Sequence, residues 1–166
     1  MKLPVCPFFW LALCLSWPHL VNAIAWAPHE LGLCLACASS DGKVSILTAR
    51  DGQWDTVSIT AHPTGCTAIS WAPAAPLSAL LKSNMPVTAP VRRFATGGCD
   101  NLVKVWRFAE EEGRWSEEVG TLVEGHTDWV RDVAWAPSIG LNSHVLASCS
   151  QVSFWEEWDL WWVEPK

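Results

Sequence analysis

Asp132-Val-Ala-Trp-Ala-Pro137 repeats two earlier stretches of the chain, Ala23-Ile-Ala-Trp-Ala-Pro28 and Ala68-Ile-Ser-Trp-Ala-Pro73. A segment that returns three times marks an array of similar units rather than one irregular domain. The central Trp residues stand at 26, 71 and 135, so the steps are 45 and 64 residues and the longer one calls for an insertion. Residues 74–91, with Pro76, Pro86 and Pro90, supply it as a long surface loop. Each copy is a short apolar run closed by Pro, which has no N–H to give to a sheet ladder, so it reads as a strand ending in a loop.

The same order of pieces follows every copy. A second apolar stretch comes next, at residues 33–40, 93–99 and 145–150, and it is rich in small residues (Ala36, Ala38, Ala95, Gly97, Ala147), as close packing between two sheets requires. Asp41-Gly42 and Asp100-Asn101 then suit the positive φ of a tight hairpin, and third strands are expected over residues 43–47 and 102–106. Two further hairpins end in Gly-x-Trp, Gly52-Gln-Trp54 and Gly113-Arg-Trp115, 61 residues apart and at the same internal place of successive units. The acidic run Glu110 to Glu112 falls on one of these tips and reads as a solvated turn. Ala61-His62 and Gly125-His126 each precede a new first strand.

Composition excludes several function classes. Half of the 166 residues are apolar, which sets the chain apart from disordered tails. A formal charge of −6 with only 11 Lys and Arg does not fit a nonspecific nucleic-acid binder, which needs clustered cations. The seven Cys are odd in number and irregularly spaced, as expected of reduced thiols. Cys34 and Cys37 form one CxxC, but on a strand an offset of three sends the two sulfurs to opposite faces, and a second ligand pair is missing. No Gly-x-Ser-x-Gly elbow, metal set or Gly-rich phosphate loop occurs, so no catalytic, cofactor or metal residue is assigned.

Both ends differ from the middle. Residues 1–20 form an apolar leader, and up to Ala23 the pattern matches a secretory signal: Lys2, an apolar run from Val5 to Trp17, and the small-residue end Val21-Asn22-Ala23. That run is short and interrupted for a membrane span, which needs about 20 residues. Cleavage after Ala23 would cut into the first repeated strand, so an aberrant start ahead of the array is a third reading. Residues 152–166 form a divergent Trp-rich tail whose Trp155, Trp158, Trp161 and Trp162 allow a helical stripe.

With these pieces in order the chain resembles the WD-repeat β-propeller family: Gly-His, an inner strand, a small-residue strand with Ser or Thr, Asp at the hairpin, and a closing Trp. The second unit (residues 61–124) carries the set as His62, Thr96, Asp100 and Trp106. The third, partial unit (125–151) has His126 and Ser148 but Val152 in the Asp place, and the first (21–60) has Asp41 with Cys37 and Leu47 in the Ser/Thr and Trp places. The resemblance implies a hydrogen-bonded structural role for these residues. It also implies an all-β fold, a propeller fragment of about two and a half four-stranded blades.

Longer runs, Phe94 to Trp106 and His126 to Leu141, are similar to the branch of that family that serves the outer COPII coat of endoplasmic-reticulum export vesicles and the outer ring of the nuclear pore. The resemblance implies a non-enzymatic scaffold, with large scaffold subunits that add a β-blade as partners and no nucleic acid, cofactor or small-molecule substrate. Asp128, Trp129 and Arg131 are the candidate partner surface. The implied location is the cytoplasmic face of the endoplasmic reticulum, its vesicles and the nuclear pore, with membrane association only through the coat. The other function class is a secreted or lumenal β-protein that uses residues 1–23 as a signal. A partial array leaves apolar sheet faces bare, so poor solubility or marginal folding is expected of the isolated chain.

Overall fold

Each Trp-Ala-Pro run forms the first strand of an antiparallel sheet, and the three sheets stand side by side. The computed structural model describes residues 19–74, 90–118, 126–137, 144–151 and 158–163. The leader up to residue 18, most of the 74–91 insertion, Val152 and Trp155 lie outside them. The first sheet runs β1 (Val21–Trp26), β2 (Cys34–Ser39), β3 (Lys43–Arg50) and β4 (Gln53–Thr60), in that order. The second repeats it with β5 (Cys66–Trp71), β6 (Arg93–Gly98), β7 (Val103–Ala109) and β8 (Arg114–Glu117). The third orders β9 (Val130–Trp135), β10 (His144–Ser150) and β11 (Trp158–Val163) as β11-β10-β9. One 3-10 turn, His29–Leu31, leads from β1 to β2.

First strands pack on first strands, β1 on β5 and β5 on β9, which is the radial arrangement of propeller blades. All six residues of β2 and of β6 are buried. One inter-sheet core joins Ala36, Ala38, Val44 and Ile46 of the first sheet to Cys66, Ile69, Trp71, Phe94 and Trp106 of the second. The other joins Ala68, Ala95, Val103 and Val105 to Val130, Val133, Trp135 and Leu146. Small residues are needed there: a Cβ on Gly97 would meet Val130 Cγ1 at 2.5 Å. Fully burying Phe94 contributes about 1.5–3 kcal/mol on transfer alone.

The turns take the backbone their residues favour. Gly42 has φ 81° and Asn101 φ 66°, and the β3–β4 hairpin turns on Asp51 (φ 50°) and Gly52 (φ 80°). The insertion between β5 and β6 is pinned at its base by Val91 N–H donating to the Ala74 carbonyl at 3.2 Å.

A bulge recurs near the start of each first strand, where the register slips beside Asn22, Thr67 and Arg131. The slip turns the Asn22 and Thr67 side chains along the array. Asn22 Nδ2 donates to the Cys66 carbonyl at 2.8 Å, and Thr67 Oγ1 to the Val130 carbonyl at 2.6 Å. Both acceptors are the first residue of the following sheet.

The tail departs from the helical expectation. Trp158–Val163 is a strand paired along β10, from Cys149↔Trp158 to His144↔Val163. The physical reason is that β10 would otherwise present a row of unpaired N–H and C=O groups, and the run Trp-Asp-Leu-Trp-Trp-Val has strong β propensity.

Candidate functional site

The second blade carries a continuous hydrogen-bonded chain from its tight turn to its third strand. Asp100 closes the β6–β7 hairpin, where its Oδ1 accepts the Leu102 N–H at 3.3 Å, an Asx turn that fixes the carboxylate. His62 Nδ1 stands 2.8 and 3.0 Å from the two Asp100 oxygens, and its Nε2 is 2.9 Å from Thr96 Oγ1. Trp106 Nε1–H donates to the same Thr96 oxygen at 3.0 Å. One assignment satisfies every group: neutral His62 donates from Nδ1 to Asp100, Thr96 donates to Nε2 and accepts from Trp106. Burial holds the His62 pKa below its ordinary value, outweighing the Asp100 charge and hydrogen bond that pull it up, so the imidazole is neutral at pH 7.

Asp, His and Thr in line resemble an activated hydroxyl, but the geometry closes it off. His62 and Thr96 have no solvent exposure, and the Thr96 oxygen is already engaged by the indole, so a substrate has no approach. What the chain does is tie together three pieces of one blade. Gly98 leaves no room for change, since a Cβ there would collide with the His62 ring.

The other two units hold partial versions. His126 Nε2 lies 2.7 Å from Ser148 Oγ, repeating the His62–Thr96 contact. In the first unit Cys37 and Leu47 lie together, packed with Leu35 and Trp54 on the outer face. Asp41 accepts the Lys43 N–H at 3.1 Å and lies 3.3 Å from Lys43 Nζ. Burial would raise the Asp41 pKa, but the Lys43 amide, the Ser39 hydroxyl and the Lys43 ammonium together hold it below the usual carboxylate range. His19, which sequence reasoning passed over, comes within 3.8 Å of Asp41. It stands seven residues before Trp26, whereas His62 and His126 stand nine before their Trp, so spacing gave no signal.

Asp128, Trp129 and Arg131 do come together. Trp129 is 47% exposed, the Arg131 guanidinium lies 5.4 Å from its ring centre, and Asp128 Oδ1 accepts the Trp129 N–H at 2.7 Å. The aromatic ring is thus held in place while still facing water. Cys34 and Cys37 separate as strand parity requires, Cys34 into the inter-sheet core and Cys37 into the outer-face cluster. Cys66 is sealed in the core, where burial pushes its thiol up to about 12. One pair had no sequence signal at all: buried Arg93 meets Glu118 with Nη2 at 2.7 Å and Nε at 3.0 Å, and its guanidinium lies 5.4 Å from the Trp135 ring of the third blade.

Comparison with known proteins follows the same residues. The chain is 52% identical over 136 residues to "Protein transport protein SEC13" of Cryptococcus neoformans, covering 79% of this chain and 40% of that protein. It is 50% identical over 142 residues to the Mycosarcoma maydis protein of the same name, covering 79% and 38%. It is 53% identical over 135 residues to "Protein SEC13 homolog" of Drosophila melanogaster, covering 79% and 37%. The chain therefore spans about two fifths of the length of the curated relatives it matches. The family model "WD domain, G-beta repeat" matches residues 54–107 and 116–153, together more than half of the chain. Those spans contain the Asp100–His62–Thr96–Trp106 chain and the His126–Ser148 contact, and with three blades in radial order around them, the chain belongs to the WD-repeat family.

Proposed function

We propose that this chain is a structural scaffold element for protein transport, serving the outer COPII coat of vesicles leaving the endoplasmic reticulum and the nuclear pore complex, and acting by protein binding without chemistry of its own. The observation that carries the reading is the identity of about one half to proteins named for protein transport, sustained across 79% of the chain. The sealed Asp100–His62–Thr96 line supports it by offering a blade fastener in place of a reactive hydroxyl.

Its partners are large scaffold subunits that lay a β-blade against an open sheet, a form of strand addition. Asp128, Trp129 and Arg131 form the candidate contact, since an ordered, exposed Trp beside Arg has the composition of interface hot spots. Association with the endoplasmic-reticulum membrane is through the coat, on its cytoplasmic face. The experiment is copurification of the tagged chain from cells with the large coat and pore subunits, repeated with Trp129→Ala and Arg131→Ala. Recovery of at least one subunit, reduced by the substitutions, is expected; recovery of neither by the unsubstituted chain overturns the proposal. The secreted alternative predicts a mature amino terminus at Ile24, readable by amino-terminal sequencing. Such a cut would remove Val21 and Ala23 from their pairing with Ser39 and Ala38, which weighs against it.

A further inference from the structure

A cleft of about 430 Å³ opens between the first and second blades. Leu31, Ile46 and Val57 form its aliphatic wall, and Trp71, Phe108 and Trp115 the aromatic one. The walls are built rather than accidental. Val57 pairs with Ile46 across β3–β4 and so lies in the row that faces the second blade, where it is 51% exposed. Opposite, Trp115 packs edge-on to Phe108 at 5.4 Å and to Trp71 at 5.9 Å, which holds the aromatic wall rigid. The Cys34 thiol and the Thr48 hydroxyl also line the cleft, where they meet at 3.6 Å and satisfy each other.

The charges that line this cleft are Arg50, Arg92 and Asp55, two cations against one anion. That balance runs against a chain of net charge −6. Arg50 makes no ion pair among the described residues. Arg92 lies with its guanidinium 5.3 Å from the Phe108 ring centre, and its contact with Glu110 is long, 3.8 Å, and 64% exposed on the Glu side. Water screens such a pair, so the Arg92 charge remains available to a ligand.

We propose that this cleft is a binding site for a compact monocarboxylate with an apolar alkyl or aryl body. The body lies between the aliphatic and aromatic walls, and the carboxylate takes the guanidinium of Arg50 or Arg92, which present planar paired donors. The volume falls in the range of about 300–1,000 Å³ typical of small-molecule sites, and apolar walls with few convergent polar groups are their usual lining. The ligand is bound and not transformed, since the cleft holds no free nucleophile or acid–base pair among its lining.

The test is ligand-observed saturation-transfer NMR on the full chain with octanoate and 3-phenylpropionate, and with octylamine and 3-phenylpropylamine as cations of matched body. Saturable transfer from at least one carboxylate and not from its amine is expected, and the better carboxylate identifies the alkyl or aryl body. The double change Arg50→Gln and Arg92→Gln should weaken that carboxylate about tenfold, and Val57→Trp, which fills the cleft from an exposed edge strand, should abolish transfer. Unchanged melting temperatures establish that both variants are folded. The proposal is overturned by no saturable transfer up to about 10 mM, by equal binding of the amines, or by carboxylate binding that survives both variants.

Discussion

Thr96 is the residue on which the second blade turns, because its one oxygen accepts the Trp106 indole N–H while its hydroxyl hydrogen serves His62. Replacing it by Val keeps the shape and strands both partners in a buried place, and each buried polar group left unpaired costs about 1–3 kcal/mol. Thr96→Val is therefore expected to destabilise the chain by about 2–4 kcal/mol in urea denaturation, and Thr96→Ser by much less, since it keeps the hydroxyl. His62 sets the pH dependence. Its folded pKa lies below the ordinary 6.5, so between 6.5 and the folded value the unfolded chain binds a proton that the native chain refuses. Stability is then full above pH 6.5 and is lost as the pH falls below it. Urea midpoints measured from pH 7.5 down to 5.5 should decline, and His62→Gln should flatten that decline while lowering stability at pH 7.5. The His, Thr, Asp and Trp of this set were legible because the second unit carries the complete family pattern that its neighbours hold only in part. Arg93 and Glu118 were not, since a buried pair 25 residues apart leaves no local pattern.

Between elements, the β2–β3 turn of the first blade is built into the second. The Gly42 carbonyl accepts the N–H groups of Ala61 at 2.9 Å and His62 at 3.0 Å, and a Cβ on Gly42 would collide with the His62 carbonyl. Its φ of 81° adds the left-handed penalty, about 1–2 kcal/mol for a residue with a side chain. Gly42→Ala is expected to cost at least about 2 kcal/mol, and amide exchange should speed up at His62 in the second blade as well as in the first. Asp41-Gly42 was readable as a hairpin, but its second role was not, because a turn signal describes its own strands and says nothing about what lies above them. The tail misled in a different way. Trp spacings of three, three and one fit a helix, and only the open side of β10 makes a strand the better partner.

Across the whole molecule the two inter-sheet cores are covered, while β1 is open to water on the side of the first blade away from the second. Ile24 is 60% and Trp26 48% exposed, and they lie in the same rows as Cys37 and Leu35 on the side away from the second blade. A wet apolar row on a β-sheet is an association site. Sedimentation velocity should show concentration-dependent self-association that the double change Ile24→Lys and Trp26→Lys reduces; a monomer at all concentrations would contradict this. The blade architecture as a whole was visible in advance because Trp-Ala-Pro, the small-residue strands and Gly-x-Trp recur in order. The cleft between blades was not, since it is made by residues of two units whose separation no repeat encodes.

The recurring bulge gives the array a direction. Asn22 reaches forward to Cys66 and Thr67 to Val130, so each unit is a donor to its successor and an acceptor from its predecessor. Loss of a unit is therefore not symmetric. Without a predecessor a blade is left with a carbonyl one bond short, which proteins tolerate; without a successor it is left with a side-chain donor that must find another acceptor, and for Thr67 the Gly97 carbonyl of its own sheet already lies 2.9 Å away. Arg131 occupies the third bulge, with its guanidinium over the Trp129 ring. An array of this kind can be shortened from the front more cheaply than from the back.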